Sequence, residues 1–394
     1  MPIYHRLGRV PDKRHTVFRS ESGELYYEQL MGNKGFVGIS SLLYHLRRPT
    51  TVTSTKLLRM VDIEVDPDPT LRMRHFRLGQ LPAGGTLVEE RTPVLFNEDV
   101  VISLARPTVS DERFYRNGEG DELLYVAKGS GTLQSIFGDL RYGDGDYLVI
   151  PRGITYRLML DESAQGTAEH TLLVVEARGA IETPRRYRNE FGQLLEHSPF
   201  CERDIRRPES LPVHDARGEH TLVVKAQQML TEVTLDHHPF DVVGWDGYYY
   251  PWAFSIHNFE PITGRVHQPP PVHQTFQCDG AVICSFVPRL YDYHPEAIPA
   301  PYNHANVMSD EVLFYAKDKF MSRKGIEWAS MTLHPDGLTH GPHPGTAEAS
   351  IGKQATDELA VMIDTFRPLR AAKAALEVED RTYGKSWLDP GVTL

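Results

Sequence analysis

The sequence predicts a mainly β protein that contains two copies of one β-unit and ends in a short helix. Three observations support this fold class. Short apolar runs rich in Val, Leu and Tyr alternate with turn signals along the chain. One eight-residue stretch occurs twice. Segments with the apolar spacing of a helix are scarce, whereas 31 glycines and 28 prolines are spread through the chain.

The elements follow in chain order from these patterns. A possible helix covers residues 24–31. The strand-length apolar runs are residues 122–127, 146–150, 170–176, 220–225 and 281–287. The C-terminal helix is predicted over residues 368–376, because Pro368 suits a first helical turn and a stretch rich in Ala, Leu and Lys follows it.

The repeat is the most informative feature of the chain. Residues 121–128 read DELLYVAK and residues 310–317 read DEVLFYAK, with five of the eight positions identical. Each copy is followed by a Pro-x-Gly-x-x-aromatic turn, which ends at Tyr156 in the first copy and at His340 in the second. An octamer alone can match by chance, but the matching turn downstream makes chance a poor explanation. The sequence therefore contains two copies of one β-unit.

A histidine shortly before a glutamate on one strand, with Pro-x-Gly-x-x-His on a later strand, resembles the cupin motif. Cupins are double-sheet jelly rolls, so two copies predict a bicupin with two jelly-roll β-barrels. We expect residues 1–255 to form an N-terminal β domain with a degenerate, metal-free cupin at about 91–180. Residues 256–394 are expected to form a C-terminal cupin domain with the metal site and the C-terminal helix.

The two copies differ at the positions that would hold a metal. The second copy has His304, Glu311 and His340, whereas the first has Tyr115, Glu122 and Tyr156. Two imidazoles and a carboxylate form the facial triad that is typical of non-haem Fe(II) sites, although the spacing alone also admits Zn, Mn or Ni. A glutamate between two tyrosines is a poor site for a divalent metal. We therefore predict Fe(II) in the second barrel and a packing role for the first.

Further polar side chains near the triad in the sequence are candidates for the same pocket. Taken singly, each is more often a surface or packing residue, but together they supply a base and donors for an anionic substrate. These candidates are His267, His273, Tyr302, Arg323, Lys324 and His334.

Composition limits the other classes of function. The 394-residue chain has a net charge of −11, which argues against general binding to nucleic acids or anionic membranes. The sequence has no run of 18 apolar residues, so no transmembrane helix is predicted. Three cysteines without a C-x-x-C pair predict a cytoplasmic protein without a disulfide framework. Walker, Rossmann, serine-hydrolase and HExxH motifs are absent, which disfavours nucleotide and serine-hydrolase chemistry.

The most specific segment of the chain is HPFDVVGWDG at residues 238–247. Shorter characteristic segments are YEQL at 27–30, PYNH at 301–304, MS at 308–309 and HGP at 340–342. With these segments the sequence resembles the homogentisate 1,2-dioxygenases from about residue 24 to residue 387. The resemblance implies an Fe(II)-dependent extradiol-type dioxygenase that converts homogentisate and O2 to maleylacetoacetate in tyrosine and phenylalanine breakdown. It also implies a homo-oligomer, a trimer or a hexamer.

Carried over by position, the resemblance assigns roles to individual residues. It implies that His304, Glu311 and His340 bind Fe(II). It implies His267 as the acid–base histidine, with His273 as a rival because of an insertion between the two. The residues implied to lie near the substrate are Tyr302, Arg323, Lys324, His334 and His340.

The sequence departs from the family at the carboxylate. In the family the glutamate usually lies six positions after the first histidine, which would select Asp310 here. The repeat aligns Glu311 with Glu122, and we therefore predict Glu311 as the ligand. Other functions compatible with the sequence are a dioxygenase for another hydroquinone or a gentisate-like substrate, a cupin sugar-phosphate isomerase, and a non-catalytic ligand-binding bicupin.

Overall fold

The structure is a computed structural model that describes residues 3–163, 166–167, 169–267, 270–305 and 307–388. Strands dominate it, and the prediction of a mainly β protein with cupin-like sheets is confirmed. No helix in these ranges is long and apolar enough to cross a membrane.

The strands in chain order are β1 His5–Gly8, β2 Tyr27–Gly32, β3 Ser40–His45, β4 Val52–Met60, β5 Arg74–Phe76, β6 Thr92–Phe96, β7 Val100–Ala105, β8 Phe114–Asn117, β9 Asp121–Lys128, β10 Gly131–Ser135, β11 Gly138–Tyr142, β12 Asp146–Ile150, β13 Thr155–Leu160, β14 Glu162–Ser163, β15 Gly166–Thr167, β16 Thr171–Ala177, β17 Ile205–Arg206, β18 Arg217–Ala226, β19 Met229–His237, β20 Val242–Gly247, β21 Trp252–Ser255, β22 Gln274–Cys278, β23 Ala281–Phe286, β24 Arg289–Leu290, β25 Asp310–Tyr315, β26 Met331–His334, β27 Ala355–Thr356, β28 Ala360–Thr365 and β29 Arg370–Ala371. The α-helix α1 is Thr346–Ser350. The 3-10 helices are Leu78–Gln80, Arg185–Tyr187, Glu202–Asp204, Ile256–Asn258, Pro270–His273, Lys373–Val378 and Tyr383–Trp387.

The first cupin-like unit consists of two large sheets. One has the strand order β17-β21-β12-β9-β16-β7-β6-β29 and the other β11-β10-β13-β8-β18-β19-β4. Strand β9, the first repeat copy, lies between β12 and β16 in the middle of its sheet. Its residues 121–126 are all buried, which explains why this stretch is a continuous apolar run rather than an alternating one.

The second unit has a six-stranded sheet in the order β22-β23-β28-β25-β26-β5. Strand β25, the second repeat copy, again lies in the middle, between β28 and β26. The two repeat copies therefore occupy equivalent central positions in their sheets.

The two units exchange strands and share one hydrophobic core. Strand β5, from the N-terminal half, pairs with β26 of the second unit, and β29 pairs with β6 of the first. One hydrophobic cluster contains buried residues of both units, between Leu43 and Val378. The Tyr147 hydroxyl and the Ser285 hydroxyl are 2.8 Å apart across the units. The boundary between residues 255 and 256 stays a prediction.

In the first unit, the Arg91 guanidinium lies among the three residues that the repeat aligns with the triad. It donates to the Glu122 carboxylate and, at 2.9 Å, to the Tyr156 hydroxyl. It also lies 5.2 Å from the centre of the Tyr115 ring. The Tyr156 hydroxyl donates to the second Glu122 oxygen at 2.7 Å. A buried protein cation thus occupies the interior of this unit.

The structure corrects the predicted C-terminal helix over residues 368–376. Residues 370–371 instead form β29, and only Lys373–Val378 is helical, as a 3-10 helix. Ala372 is extended with ψ of 139°, and its N–H donates to the Val94 carbonyl at 2.8 Å. Pairing with the first unit therefore overrides the helix propensity of the Ala-rich segment.

The possible helix over residues 24–31 is also wrong. Residues 27–32 form β2, which pairs antiparallel with β3 from Tyr27 to Gly32. The hydrogen bonds of this pairing satisfy the backbone in place of a helix.

Candidate metal centre

His304, Glu311 and His340 converge at one end of the second unit. Glu311 is on β25, and the two histidines face each other across an isolated β-bridge. The bridge is closed by two backbone hydrogen bonds, from His304 N to His340 O at 2.8 Å and back at 2.9 Å. One ligand atom from each of the three side chains lies within 4.8 Å of the others.

The imidazole rings are oriented so that both Nε2 atoms face Glu311. His304 Nδ1 lies 3.0 Å from the Tyr302 carbonyl, and His340 Nδ1 lies 3.1 Å from the Leu338 carbonyl. A carbonyl only accepts, so each Nδ1 carries the proton and each Nε2 keeps its lone pair. The two Nε2 atoms lie 3.5 and 3.7 Å from Glu311 Oε2.

This donor set fits a divalent metal. Among the described residues His340 Nε2 is buried without a hydrogen-bond partner, which is costly unless a ligand uses its lone pair. Carbonyl bonds to the opposite ring nitrogen are also the usual support of metal-binding histidines. The triad is therefore compatible with a metal site of the kind found in cupin dioxygenases.

The second Glu311 oxygen is held by other groups. His334 Nδ1 lies 2.7 Å from Oε1, and an Arg323 guanidinium nitrogen lies 3.5 Å from it. Burial, followed by the charge of Arg323, lowers the pKa of His334 to about 3, so its ring is neutral. Burial alone would raise the pKa of Glu311, but the surrounding histidines, among them His334 with its hydrogen bond, hold that pKa well below its usual value.

Asp310 is on the opposite face of β25 from its neighbour Glu311. Its two carboxylate oxygens accept from Asp336 N at 2.7 Å and from Leu369 N at 2.6 Å. Successive residues of a strand point to opposite faces, so only one of the two acids can reach the histidines. The structure brings Glu311 there, and Asp310 fastens two loops.

A cavity of about 490 Å³ opens beside the triad. Its apolar walls include Phe286, Phe320, Leu313 and Met362, and His304 and Glu311 lie at its lining. These dimensions and this mixture of apolar and polar walls suit a small aromatic ligand.

The two predicted base histidines both line this cavity. His267 is half exposed, lies 3.6 Å from Asp292 through Nδ1, and contacts the Tyr302 ring. His273 is buried and stacks on Phe286 with a centroid distance of 4.4 Å. Burial, followed by the charge of Arg289, lowers the pKa of His273 to about 3.

The other predicted pocket residues separate into two groups. Tyr302 and Arg323 line the cavity. Lys324 is exposed and donates to the Pro344 carbonyl at 2.6 Å, and it is not among the described lining residues. His334 is fully buried between Glu311 and the Tyr383 hydroxyl, which lies 3.1 Å from its Nε2.

Among the described lining residues, four charged ones were not predicted from the sequence, namely Arg289, Asp292, Glu358 and Asp364. Arg289 lines it and donates to Glu358 at 2.7 Å, and Asp364 lines it from β28. Burial, followed by the nearby charge of Glu311, raises the pKa of Asp364 to about 8. An acid inside the apolar run AVMIDT was the one available signal for Asp364.

Known proteins resemble this chain in sequence. The family model described as "Homogentisate 1,2-dioxygenase N-terminal" matches residues 99–256. A protein of Saccharolobus solfataricus named "Putative dioxygenase SSO1533" is 42% identical over 98% of this chain and 99% of its own length. The homogentisate 1,2-dioxygenase of Bradyrhizobium diazoefficiens is 27% identical over 73% of this chain and 65% of its own length.

A protein of known structure is also similar to this chain. A cupin 2 conserved barrel domain protein from Leptotrichia buccalis is 12% identical and has a TM-score of 0.33, covering 78% of this chain and all (100%) of its own. The full-length similarity to a dioxygenase, together with the family match, carries the assignment. The chain belongs to the homogentisate 1,2-dioxygenase family and is a dioxygenase-family enzyme.

Proposed function

We propose that this protein is an Fe(II)-dependent ring-cleaving dioxygenase that converts homogentisate and O2 to maleylacetoacetate. The convergence of His304, Glu311 and His340 beside a cavity with aromatic walls carries the proposal. Two imidazoles and one carboxylate leave coordination positions open for substrate and O2. Bound iron supplies the redox and Lewis-acid chemistry by which O2 reacts with an electron-rich ring.

The chain's own residues bind and orient the substrate. Phe286 and Phe320 offer flat apolar walls to the ring, and Arg289 and Arg323 bring two guanidinium groups to the cavity for a carboxylate. Of the two basic residues predicted near the substrate carboxylate, we propose Arg323, because the Lys324 ammonium donates to the Pro344 carbonyl instead. Tyr302, an exposed residue of the cavity lining, adds a hydroxyl.

His267 is the proposed base. Its Nδ1 faces the Asp292 carboxylate at 3.6 Å, which leaves Nε2 to accept the proton of a ring hydroxyl. His273 remains the rival, because it also lines the cavity and its Nδ1 has no hydrogen-bond partner among the described residues. Its low pKa makes it the weaker base.

Oxygen uptake tests the proposal. Protein loaded anaerobically with Fe(II) is mixed with homogentisate, gentisate or another substituted hydroquinone in an oxygen electrode. We expect uptake with homogentisate and about one iron per chain. Uptake with only another hydroquinone would reject the substrate and keep the mechanism. No uptake with any of them, at full iron occupancy, would reject the dioxygenase proposal.

The family resemblance also supports a homo-oligomer, a trimer or a hexamer. Every residue of β4 is exposed in the single chain, including the apolar Leu57 and Met60. Long exposed apolar strands are normally covered by another chain. Light scattering coupled to size-exclusion chromatography would give the number of chains.

A further inference from the structure

Asp364 is an acid of the cavity wall to which the described residues give no hydrogen bond. It lies directly opposite Glu311 where β28 pairs with β25, and residues directly opposite in a sheet share a face. Asp364 therefore faces the same interior as Glu311, and it lines the same cavity. Its Oδ1 is buried and has no hydrogen-bond partner among the described residues.

The first unit contains the same pair of acids in the same arrangement. There Glu176 on β16 lies directly opposite Glu122 on β9. Glu176 accepts from Asn117 at 2.9 Å and from the Lys225 ammonium, and Arg91 lies 3.4 Å away. Glu176 thus receives hydrogen bonds from three groups of the chain. The described residues provide none to its counterpart, Asp364.

The surroundings of Asp364 define what kind of donor would fit. Met362 and Leu313 form an apolar part of the cavity wall near Asp364, so an aromatic ring can lie against them. The Glu311 carboxylate lies directly opposite Asp364, with Arg323 3.5 Å from that carboxylate, and Arg289 on the lining donates to Glu358 at 2.7 Å. A further negative charge beside Glu311 and Asp364 is unfavourable, so a neutral hydroxyl fits Asp364 better than an anion does.

We infer that Asp364 is a specificity-determining residue that hydrogen-bonds a ring hydroxyl of the aromatic substrate. The inference rests on the proposed function in one respect, namely that the ligand is a hydroxylated aromatic acid. It goes further by naming the side chain of the cavity wall that recognises the hydroxyl.

Ligand binding without turnover tests this inference. Protein loaded with Zn(II), which is not redox-active, is titrated calorimetrically under nitrogen with homogentisate, 2-hydroxyphenylacetate and 3-hydroxyphenylacetate. Each of the last two lacks one ring hydroxyl. We expect wild-type protein to bind homogentisate about 10- to 100-fold more tightly than one of the two. Asp364→Ala should abolish that preference, and Asp364→Asn should retain part of it.

The controls separate the possible failures. Asp357→Asn, at a residue whose side chain is 86% exposed, makes the same chemical change outside the cavity and should keep the wild-type preference. An unchanged preference in Asp364→Ala would overturn the inference, and so would loss of zinc from both Asp364 variants. Ligand binding without O2 uptake by the iron form would overturn the proposed function alone. Failure of all three ligands to bind wild-type protein would overturn both.

Discussion

The two carboxylate oxygens of Glu311 have different tasks. Oε2 faces the two imidazoles of the triad, while Oε1 is held by His334 at 2.7 Å. The neutral His334 ring donates through Nδ1 and is itself held by the Tyr383 hydroxyl. This chain of contacts fixes the carboxylate before any ligand binds, which is how supporting groups usually raise metal affinity.

We predict that Glu311→Gln lowers metal binding to near zero and that Asp310→Asn preserves it. Asparagine at 310 keeps one acceptor but turns an amide toward the second backbone N–H, so the variant should lose about 1–3 kcal/mol of stability. Metal analysis and thermal melting measure the two effects separately. Metal loss in Asp310→Asn with retention in Glu311→Gln would show that the family's six-residue spacing holds here.

We predict that His267→Ala lowers the rate of O2 uptake by about 10²–10⁴ while iron stays bound. His273→Ala should affect the rate less, because a pKa of about 3 makes its imidazole a poor proton acceptor at neutral pH. His15→Ala, at a side chain that is 94% exposed, is the matched control. Near-normal rates in both cavity variants would mean that neither histidine is the base.

At the scale of elements, a strand-exchanged architecture holds the two units together. Strand β5 comes from the N-terminal half of the chain but pairs with β26 of the second unit. Strand β29 comes from the C-terminal half but pairs with β6 of the first unit. Neither was predictable, because a two- or three-residue strand carries no periodic signal and its partner lies hundreds of positions away. The same pairing explains the failure of the helix predicted at 368–376, where local propensity was the only available guide.

We predict that Arg91→Met costs about 3–5 kcal/mol of stability, because it leaves the Glu122 carboxylate buried and unpaired. The double variant Arg91→Met with Glu122→Leu should recover part of that loss, since no charge then remains uncompensated. Chemical denaturation of the two single variants and the double variant gives the coupling free energy. Additive losses would mean that Arg91 acts by packing alone.

At the scale of the whole molecule, buried histidines make folding sensitive to acid. Burial is the main cause that lowers the pKa of His238, His273 and His334 to about 3 and that of His343 to about 4. The unfolded chain binds protons on these groups below about pH 6.5. The unfolded chain therefore binds more protons on these histidines than the folded chain does, and their contribution to the free energy of unfolding falls as pH drops from 6.5 toward 4.

We predict that His238→Phe flattens this pH dependence. The ring lies 4.1 Å from that of His214 in a stacked arrangement, so phenylalanine can keep the packing while removing the titration. Each such histidine contributes at most about 1.4 kcal/mol per pH unit to the slope. Thermal melts between pH 7.5 and 5.0 measure it, and an unchanged slope would contradict the role given to His238.

The sequence was sufficient for the triad because the repeat marks the central strand of each unit. Once Glu311 was aligned with Glu122, strand alternation separated it from Asp310. The sequence could not reveal Arg289 or Asp364, because their place in the cavity depends on the pairing of β24 with β27 and of β28 with β25. Lys324 illustrates the same limit, since its neighbour Arg323 reaches the cavity and Lys324 bonds the Pro344 carbonyl.

The Arg91 guanidinium inside the first unit affects how the protein is completed after synthesis. Arg91 is an ion that is attached to the chain, so it cannot dissociate, be exchanged or be removed by a chelator. The interior of the first unit is complete as soon as the polypeptide is made, whatever the supply of metal. The metal proposed for the second unit must come from outside the chain. Synthesis without that metal should therefore yield a chain whose first unit is complete and whose second unit still lacks the proposed ion.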